Sequence, residues 1–104
     1  MSSVLLSFFY IQSGEKQLRV SVDDNIILRC TVTGFINGIR WEKNRNEITG
    51  ANERFQIQQR TVDGDMLSSE LVIRGIQADE QGRYKCWSGD TVATVKIIIR
   101  GLYR

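Results

Sequence analysis

Histidine is absent from this 104-residue sequence, which removes the commonest general base and metal ligand. Two cysteines are too few for a structural zinc site, which needs four cysteine or histidine ligands. Ser68, Ser69 and Ser88 have no histidine to activate them, so a serine hydrolase is almost excluded. We therefore expect no catalytic residue, no cofactor and no enzymatic activity.

Long apolar runs are also missing, because no stretch approaches the 18 residues that a transmembrane helix requires. Any membrane anchor is expected outside this sequence. The net charge of +2 comes from 14 Lys and Arg interleaved with 12 Asp and Glu, a balance that does not indicate a nucleic-acid partner. The segment Asp63-Gly64-Asp65 lacks the further ligands of a calcium loop, and Asp-Gly is the usual hairpin signal, so no metal site is predicted.

The apolar run at residues 4–11 is the one ambiguous segment. It has the apolar character of a secretory leader, but no basic residue precedes it and no small-residue cleavage site follows it. We predict a first strand over residues 4–11 and interpret residues 1–3 as an addition left from protein expression. Residues 1–104 are expected to form one domain with its core over about 18–99, because no repeat, low-complexity tract or linker divides them.

Hydrophobic residues alternate with polar ones along most of the chain, which is the pattern of strands buried on one face. Turn residues separate these runs, and no helical period is present. The pattern predicts an all-β sandwich of two sheets. The expected inward positions are Leu18, Val20, Val22, Ile26, Leu28, Cys30, Val32, Ile39, Trp41, Phe55, Ile57, Leu71, Ile73, Tyr84, Cys86, Ala93, Val95, Ile97 and Ile99.

Cys30 and Cys86 lie 56 positions apart, and each shares the inward parity of its strand. Their side chains can therefore meet between the sheets. A bridge that closes so long a loop contributes roughly 4 kcal/mol to stability by the chain-entropy estimate. Two buried free thiols are the alternative.

Two aromatic residues are expected beside this bridge. Trp41 shares the inward parity of Ile39, which places its ring against the disulfide. Tyr84, two residues before Cys86, is expected to turn its hydroxyl back to the corner that precedes its strand. Gly82 would leave room for that corner.

Cys30, Trp41 and the motif Glu80-x-Gly82-x-Tyr84-x-Cys86 together resemble the immunoglobulin superfamily, over about residues 18–99. The tight turn at residues 87–92, with no Gly-x-Gly motif after it, differs from antigen-receptor variable domains. The chain resembles instead an intermediate-set domain, similar to the first domain of neural cell adhesion molecule and fasciclin-type adhesion proteins. That similarity rests on the segments Leu71-Val72-Ile73, Ile76-x-Ala78-Asp79-Glu80, Tyr84-Lys85-Cys86 and Ala93-Thr94-Val95-Lys96-Ile97. The resemblance implies an immunoglobulin-like Greek-key sandwich with one inter-sheet disulfide.

The sequence departs from the family pattern at two points. The family usually has Asp at the place of Glu80, paired with an Arg at the start of the fourth strand. Arg54 stands at that start, so we expect an ion pair of Arg54 with Glu80 or Asp79, and the alternative is a solvated pair worth under about 1 kcal/mol. Proline, which the family often uses to break the first strand, is absent.

The resemblance implies a non-catalytic recognition module of an extracellular protein, either a cell-surface or a secreted adhesion or receptor protein. It would bind another protein, homophilically or heterophilically, with a second copy or another protein of the immunoglobulin family as the partner, and it would have neighbouring immunoglobulin or fibronectin-type domains. The alternative is an intracellular domain of a muscle or cytoskeletal scaffold, whose cysteines would stay reduced. The absence of an Asn-x-Ser/Thr sequon, so that no N-linked glycan is expected, keeps that alternative open.

Outward positions on the sheet that carries Cys86 predict a protein interface, because an exposed tryptophan ringed by basic residues is typical of binding hot spots. The candidates are Trp87, Arg83, Lys85, Arg40, Lys96 and Ile98. The alternative is that Trp87 covers its strand edge or stacks on Lys or Arg side chains. On the opposite sheet, a second patch or a domain junction is suggested, and the alternative is a first strand folded over the sandwich edge. The candidates there are Ile27, Phe8, Phe9 and Tyr10.

Overall fold

The structure is a computed structural model that describes residues 3–8, 16–33, 38–49, 54–62, 64–89 and 91–100, and for residues 3–8 and 91 the backbone only. These residues form nine strands and one 3-10 turn at Ala78–Glu80. The strands are β1 Ser3–Phe8, β2 Lys16–Ser21, β3 Asn25–Thr33, β4 Arg40–Lys43, β5 Asn46–Ile48, β6 Phe55–Val62, β7 Met66–Ile73, β8 Gly82–Ser88 and β9 Thr91–Arg100.

The strands build a four-stranded sheet in the order β1-β3-β7-β6 and a five-stranded sheet in the order β2-β9-β8-β4-β5. β1 pairs in parallel with β3, and β2 pairs in parallel with β9, whereas the other neighbours are antiparallel. The chain passes from one sheet to the other five times: between β1 and β2, β2 and β3, β3 and β4, β5 and β6, and β7 and β8. The predicted all-β sandwich of two sheets is thus confirmed.

The core lies between the sheets and is built from alternate residues of each strand. In β9, for example, Ala93, Val95, Ile97 and Ile99 are buried, while the residues between them face outward. Burying these apolar side chains contributes about 25 cal/mol for each Å² removed from water. The largest side chains with almost no exposure are Trp41, Tyr84, Ile26, Leu28, Leu71, Ile73, Ile76 and Ile97.

Val22 departs from the predicted pattern, because its side chain is 39% exposed and lies beyond the end of β2. The chain turns at this point. Ser21 N donates to Asp24 Oδ2 at 2.9 Å, and Asp23 adopts a φ of 74°. The alternation of the strand therefore ends one residue before Val22.

Three further boundaries differ from the expectations or extend them. β1 spans Ser3–Phe8, and residues 9–11 of the predicted first strand lie outside the described residues. β5 and the turn at Ala78–Glu80 were not predicted, because three residues are too few to show a period.

Within the part of the chain that the structure describes, no helix has the length and apolar character to cross a membrane.

Candidate binding face of the five-stranded sheet

Two neighbouring links hold the five-stranded sheet against the other one. The predicted disulfide joins Cys30 of β3 to Cys86 of β8, with a Cα–Cα distance of 6.7 Å. Trp41 Nε1 donates a hydrogen bond of 2.8 Å to Ser69 Oγ. Trp41 is the strand partner of Cys86, and Ser69 is the strand partner of Cys30. The disulfide and the hydrogen bond therefore connect the same two rows of residues.

The corner before β8 supports one end of this sheet. Arg54 Nη2 lies 2.5 Å from Glu80 Oε1, which also accepts a 2.8 Å hydrogen bond from Gln77 N. Of the two carboxylates considered for the ion pair, Glu80 is the one that contacts Arg54, while Asp79 is exposed. A carboxylate that pairs with Arg and also accepts a backbone N–H fixes the turn that leads into β8.

Tyr84 closes the same corner from inside the core. Its hydroxyl donates to the carbonyl oxygen of Glu80, and its ring makes an edge-on contact with Phe55 at a centroid distance of 6.3 Å. Burial is the main cause that raises the pKa of the Tyr84 hydroxyl, and the negative charges of Glu80 and Asp79 raise it further. The hydroxyl is therefore a permanent donor at physiological pH.

Gly82 leaves room for a neighbouring side chain. The space beside it is occupied by Asn44, since a Cβ at Gly82 would lie 2.8 Å from both Asn44 Nδ2 and Oδ1. Its φ of 143° is also a conformation that side-chain-bearing residues rarely adopt. Gly82 thus admits the Asn44 side chain, which accepts a 3.1 Å hydrogen bond from Arg83 N.

The turn that presents Asn44 joins β4 to β5. Asn44 and Arg45 have φ values of 48° and 75°, so both central residues are left-handed, as in the type I′ turn that fits twisted hairpins. The turn places Arg45 beside the outer face of β8.

Trp87 lies on the outer face of the five-stranded sheet between Arg40 of β4 and Val92 of β9. It is half-buried, not exposed as expected, because neighbouring side chains cover it. Lys85 Nζ lies 5.9 Å from the ring centroid, which makes a cation–π contact. Val92 is 37% exposed and Arg40 is exposed, so an apolar and a cationic group remain open beside the indole.

The rest of the outer face is dominated by positive charge. Arg83 of β8 stands directly opposite Lys96 of β9, and Lys85 Nζ lies 3.5 Å from Glu42 Oε1 of β4. Ile98 is half-buried beside Arg19 of β2. The structure therefore brings all six candidates from this sheet onto one surface: Trp87, Arg83, Lys85, Arg40, Lys96 and Ile98.

Sequence reasoning missed three members of this surface, namely Val92, Arg19 and Arg45. Val92 shares the parity of Lys96 and could have been found by extending the alternation of β9 by one step. Arg19 could not have been assigned to this surface from the sequence, because the pairing of β2 with β9 joins segments that are far apart in sequence.

Among the candidates on the opposite sheet, the structure describes the side chain of Ile27. Ile27 faces outward beside Val72 and is half-buried. An ion pair of 2.5 Å between Arg29 and Glu70 occupies the adjoining position. Phe8 ends β1 without a described side chain, and the other two aromatic candidates, Phe9 and Tyr10, lie outside the described residues.

Within the described ranges, no three His, Cys, Asp or Glu side chains are grouped so that they could hold a metal ion. The chemistry of the five-stranded face is instead that of cations, amides and one indole. Such groups can bind carboxylates, sulfates and apolar side chains.

The sequence profile of the immunoglobulin I-set domain matches residues 9–98. The chain is an immunoglobulin I-set domain. β1 precedes the matched residues, which begin after Phe8. Domains of this kind are generally non-catalytic modules that bind other proteins and stand in multidomain chains.

Solved structures similar to this I-set domain come from both extracellular and intracellular proteins. The N-terminal eight immunoglobulin domains of Down Syndrome Cell Adhesion Molecule share 27% identity at a TM-score of 0.72, covering 88% of this chain and 12% of that one. Titin domain I10 shares 21% identity at a TM-score of 0.62, covering 82% and 89%. An Ig-like domain from human cDNA shares 20% identity at a TM-score of 0.65, covering 91% and 85%. No curated protein sequence matches the chain.

Proposed function

We propose that this I-set domain mediates adhesion or receptor recognition at the cell surface, or as part of a secreted protein, by binding another protein through the outer face of the five-stranded sheet. The observation that carries the proposal is Trp87, half-buried between exposed Arg40 and the partly exposed Val92. Tryptophan and arginine are the residues that most often dominate binding energy at protein interfaces. The indole is already held by Lys85, so little conformational entropy is lost when a partner covers it.

The disulfide supports the location, because such bonds persist mainly in oxidising compartments. The similarity to an adhesion molecule at 27% identity supports the same assignment. The partner is a second copy of the domain or another protein of the cell surface. Neighbouring immunoglobulin or fibronectin-type domains would hold the binding face at a distance from the rest of the protein, where a partner can reach it.

The binding test uses two valines of nearly equal exposure, Val92 on the proposed face and Val22 in the turn beyond β2. Beads coated with the domain are scored for self-aggregation, and soluble tetramers of the domain are scored for binding to intact cells. We expect one of these activities in the native domain and a loss of it on treating the cells or beads with protease. Trp87→Ala should weaken it roughly 30-fold, as expected for a hot spot of about 2 kcal/mol.

Val92→Asp should reduce the same activity, whereas Val22→Asp should leave it unchanged. All variants must keep the native melting temperature, so that lost binding is not lost folding. The proposal is wrong if the domain shows neither activity, or if the two aspartate variants behave alike.

An intracellular role in a muscle or cytoskeletal scaffold is the second candidate. It is favoured by the absence of a glycosylation sequon and by the similarity in fold to titin domains. Thiol labelling followed by mass spectrometry, on protein isolated from its native source, distinguishes the two. Bridged Cys30 and Cys86 support the extracellular assignment, and labelled free thiols support the scaffold.

A further inference from the structure

A polar groove lies on the five-stranded sheet beside the patch formed by Trp87 and Val92. It has a volume of about 410 Å³, and the residues that line it come from β4, the β4–β5 turn, β8 and β9. They are Glu42, Asn44, Arg45, Arg83, Lys85 and Thr94. Every one is polar and three are cationic, so the groove is chemically different from the apolar patch at Trp87 and Val92.

Positive charge accumulates around this groove beyond its own lining. Arg83 and Lys96 are direct cross-strand partners, an arrangement in which two like charges repel and destabilise the sheet. The residue that follows Lys96 in the same row, Gln17 of β2, is neutral. The net charge of +2 does not reveal this cluster, because it is a sum over the whole chain.

Cationic residues outnumber carboxylates among the described residues of the whole face. Its cationic residues, with the β4–β5 turn included, are Arg19, Arg40, Arg45, Arg83, Lys85, Lys96 and Arg100. Among the described residues, the carboxylates on the same face are Glu42, which is engaged by Lys85, and its strand partner Glu47. A surface of this composition raises the local concentration of anions and speeds their association.

We propose that this basic groove binds a sulfated polysaccharide chain. Residues on one face of a strand repeat about every 7 Å, and neighbouring strands lie about 5 Å apart, so the cations form a ladder and not a single-ion pocket. A ladder suits a linear polyanion with regularly spaced sulfates. Arginine forks bind such tetrahedral anions by paired hydrogen bonds, as they bind phosphate. Asn44 and Thr94 add groups that can hydrogen-bond sugar hydroxyls.

An acidic segment of a protein is the competing ligand, and the lining of the groove disfavours it. The buried centre of a protein interface is apolar and depleted in charge, whereas no apolar residue lines this groove. The inference rests on the extracellular location proposed above, where sulfated polysaccharides occur. It does not depend on Trp87, so its failure and that of protein recognition can be told apart.

The test measures the affinity of the domain for heparin over a series of salt concentrations. The variant Arg83→Gln/Lys96→Gln removes two charges from the face, and Arg60→Gln/Arg74→Gln removes two exposed charges from the opposite sheet as the matched control. We expect the face variant to bind heparin at least about tenfold more weakly. The slope of log affinity against log salt should become flatter by roughly one to two, because two counterion-releasing contacts are lost.

The control variant and Trp87→Ala should bind heparin like the native domain, while Trp87→Ala still loses protein recognition. Chemically desulfated heparin should bind much more weakly than heparin. The inference is overturned if the native domain does not bind heparin at physiological salt, or if the control variant loses as much affinity as the face variant. It is also overturned if a polyglutamate peptide binds as tightly as heparin with the same dependence on Arg83 and Lys96, since that outcome assigns the groove to an acidic protein.

Discussion

Trp41 and Ser69 are joined by a 2.8 Å hydrogen bond across the core, from the indole Nε1 to the serine Oγ, and both residues are buried. A buried indole N–H that finds no acceptor costs free energy, so a large aromatic residue in a core needs a polar partner nearby. Ser69 provides it from the opposite sheet. The pair therefore places the indole beside the disulfide in one orientation.

Replacing Ser69 with Ala should lower the free energy of unfolding by about 1–3 kcal/mol, because it leaves the indole N–H buried without an acceptor. Urea denaturation measures the change. Thr33→Ala, which removes an exposed hydroxyl from the neighbouring strand β3, is the control and should stay within about 0.5 kcal/mol. In a Trp41→Phe background, Ser69→Ala should cost clearly less, and equal costs in both backgrounds would show that the bond contributes nothing.

A second prediction concerns Gly82, whose φ of 143° and close approach to Asn44 both exclude a larger residue. Gly82→Ala should destabilise the domain by about 1–3 kcal/mol from backbone strain, with a further cost from the contact with Asn44. Gly64→Ala is the comparison, because Gly64 has a milder left-handed φ of 74° and nothing within 4 Å of the added Cβ. We expect thermal denaturation to show a larger loss at Gly82 than at Gly64.

Combining Gly82→Ala with Asn44→Gly should recover part of the loss, because it removes the side chain that the new Cβ meets. Glycine also tolerates the left-handed backbone at this position, where φ is 48°. If the double variant is as unstable as the sum of its parts, the contact with Asn44 is not the reason for the glycine.

Much of the core could be predicted from alternation, because a strand that is half-buried has a period of two whatever its neighbours are. Leu28, Cys30 and Trp41 were placed inward in this way, and all three are buried. The role of Ser69 as a buried hydrogen-bond acceptor could not be recognised from the sequence. Serine is a polar residue, so the alternation of apolar residues gives no sign that it is buried, and its partner Trp41 is 28 residues away in sequence.

For the candidate face too, the side of a strand on which a residue lies could be predicted from the sequence, whereas the pairing of strands distant in sequence could not. Parity assigned Trp87 and Lys85 to one side of β8, which the strand register bears out. The basic groove was not predicted, because it depends on which strands become neighbours. Only the pairing of β8 with β9 sets Arg83 against Lys96, and overall composition averages such clusters with distant carboxylates.

A third prediction tests the ion pair at the corner. Glu80→Gln should reduce the free energy of unfolding by about 1–2 kcal/mol, because a neutral amide replaces a carboxylate that accepts from Arg54 and from Gln77 N. Asp79→Asn, an equal loss of charge at the neighbouring exposed residue, is the control and should change stability by less than about 0.5 kcal/mol. Equal effects of the two variants in urea denaturation would mean that the pair with Arg54 is merely a solvated contact.

The last prediction follows from the raised pKa of the Tyr84 hydroxyl, whose first cause is burial and whose second is the charge of Glu80. In the unfolded chain a tyrosine titrates near pH 10, so above that pH the unfolded state loses this proton before the folded state does. The folded state then binds more protons, and stability must fall as pH rises. The contribution of Tyr84 is therefore complete below about pH 10 and is lost as the pH rises from there toward the folded pKa, at no more than about 1.4 kcal/mol per pH unit.

Tyr84→Phe removes both the titrating group and the hydrogen bond to the carbonyl of Glu80. At pH 8 the variant should be less stable than the native domain by about 1–2 kcal/mol, since that carbonyl loses its donor in the core. Above pH 10 the gap should narrow, because only the native domain has to keep a buried phenol protonated. Urea denaturation of both proteins from pH 8 to pH 11 measures the gap directly, and the titration of every shared group cancels in the difference. A gap that stays constant over this range would mean that the Tyr84 hydroxyl titrates alike in the folded and unfolded chain, and it would contradict this prediction.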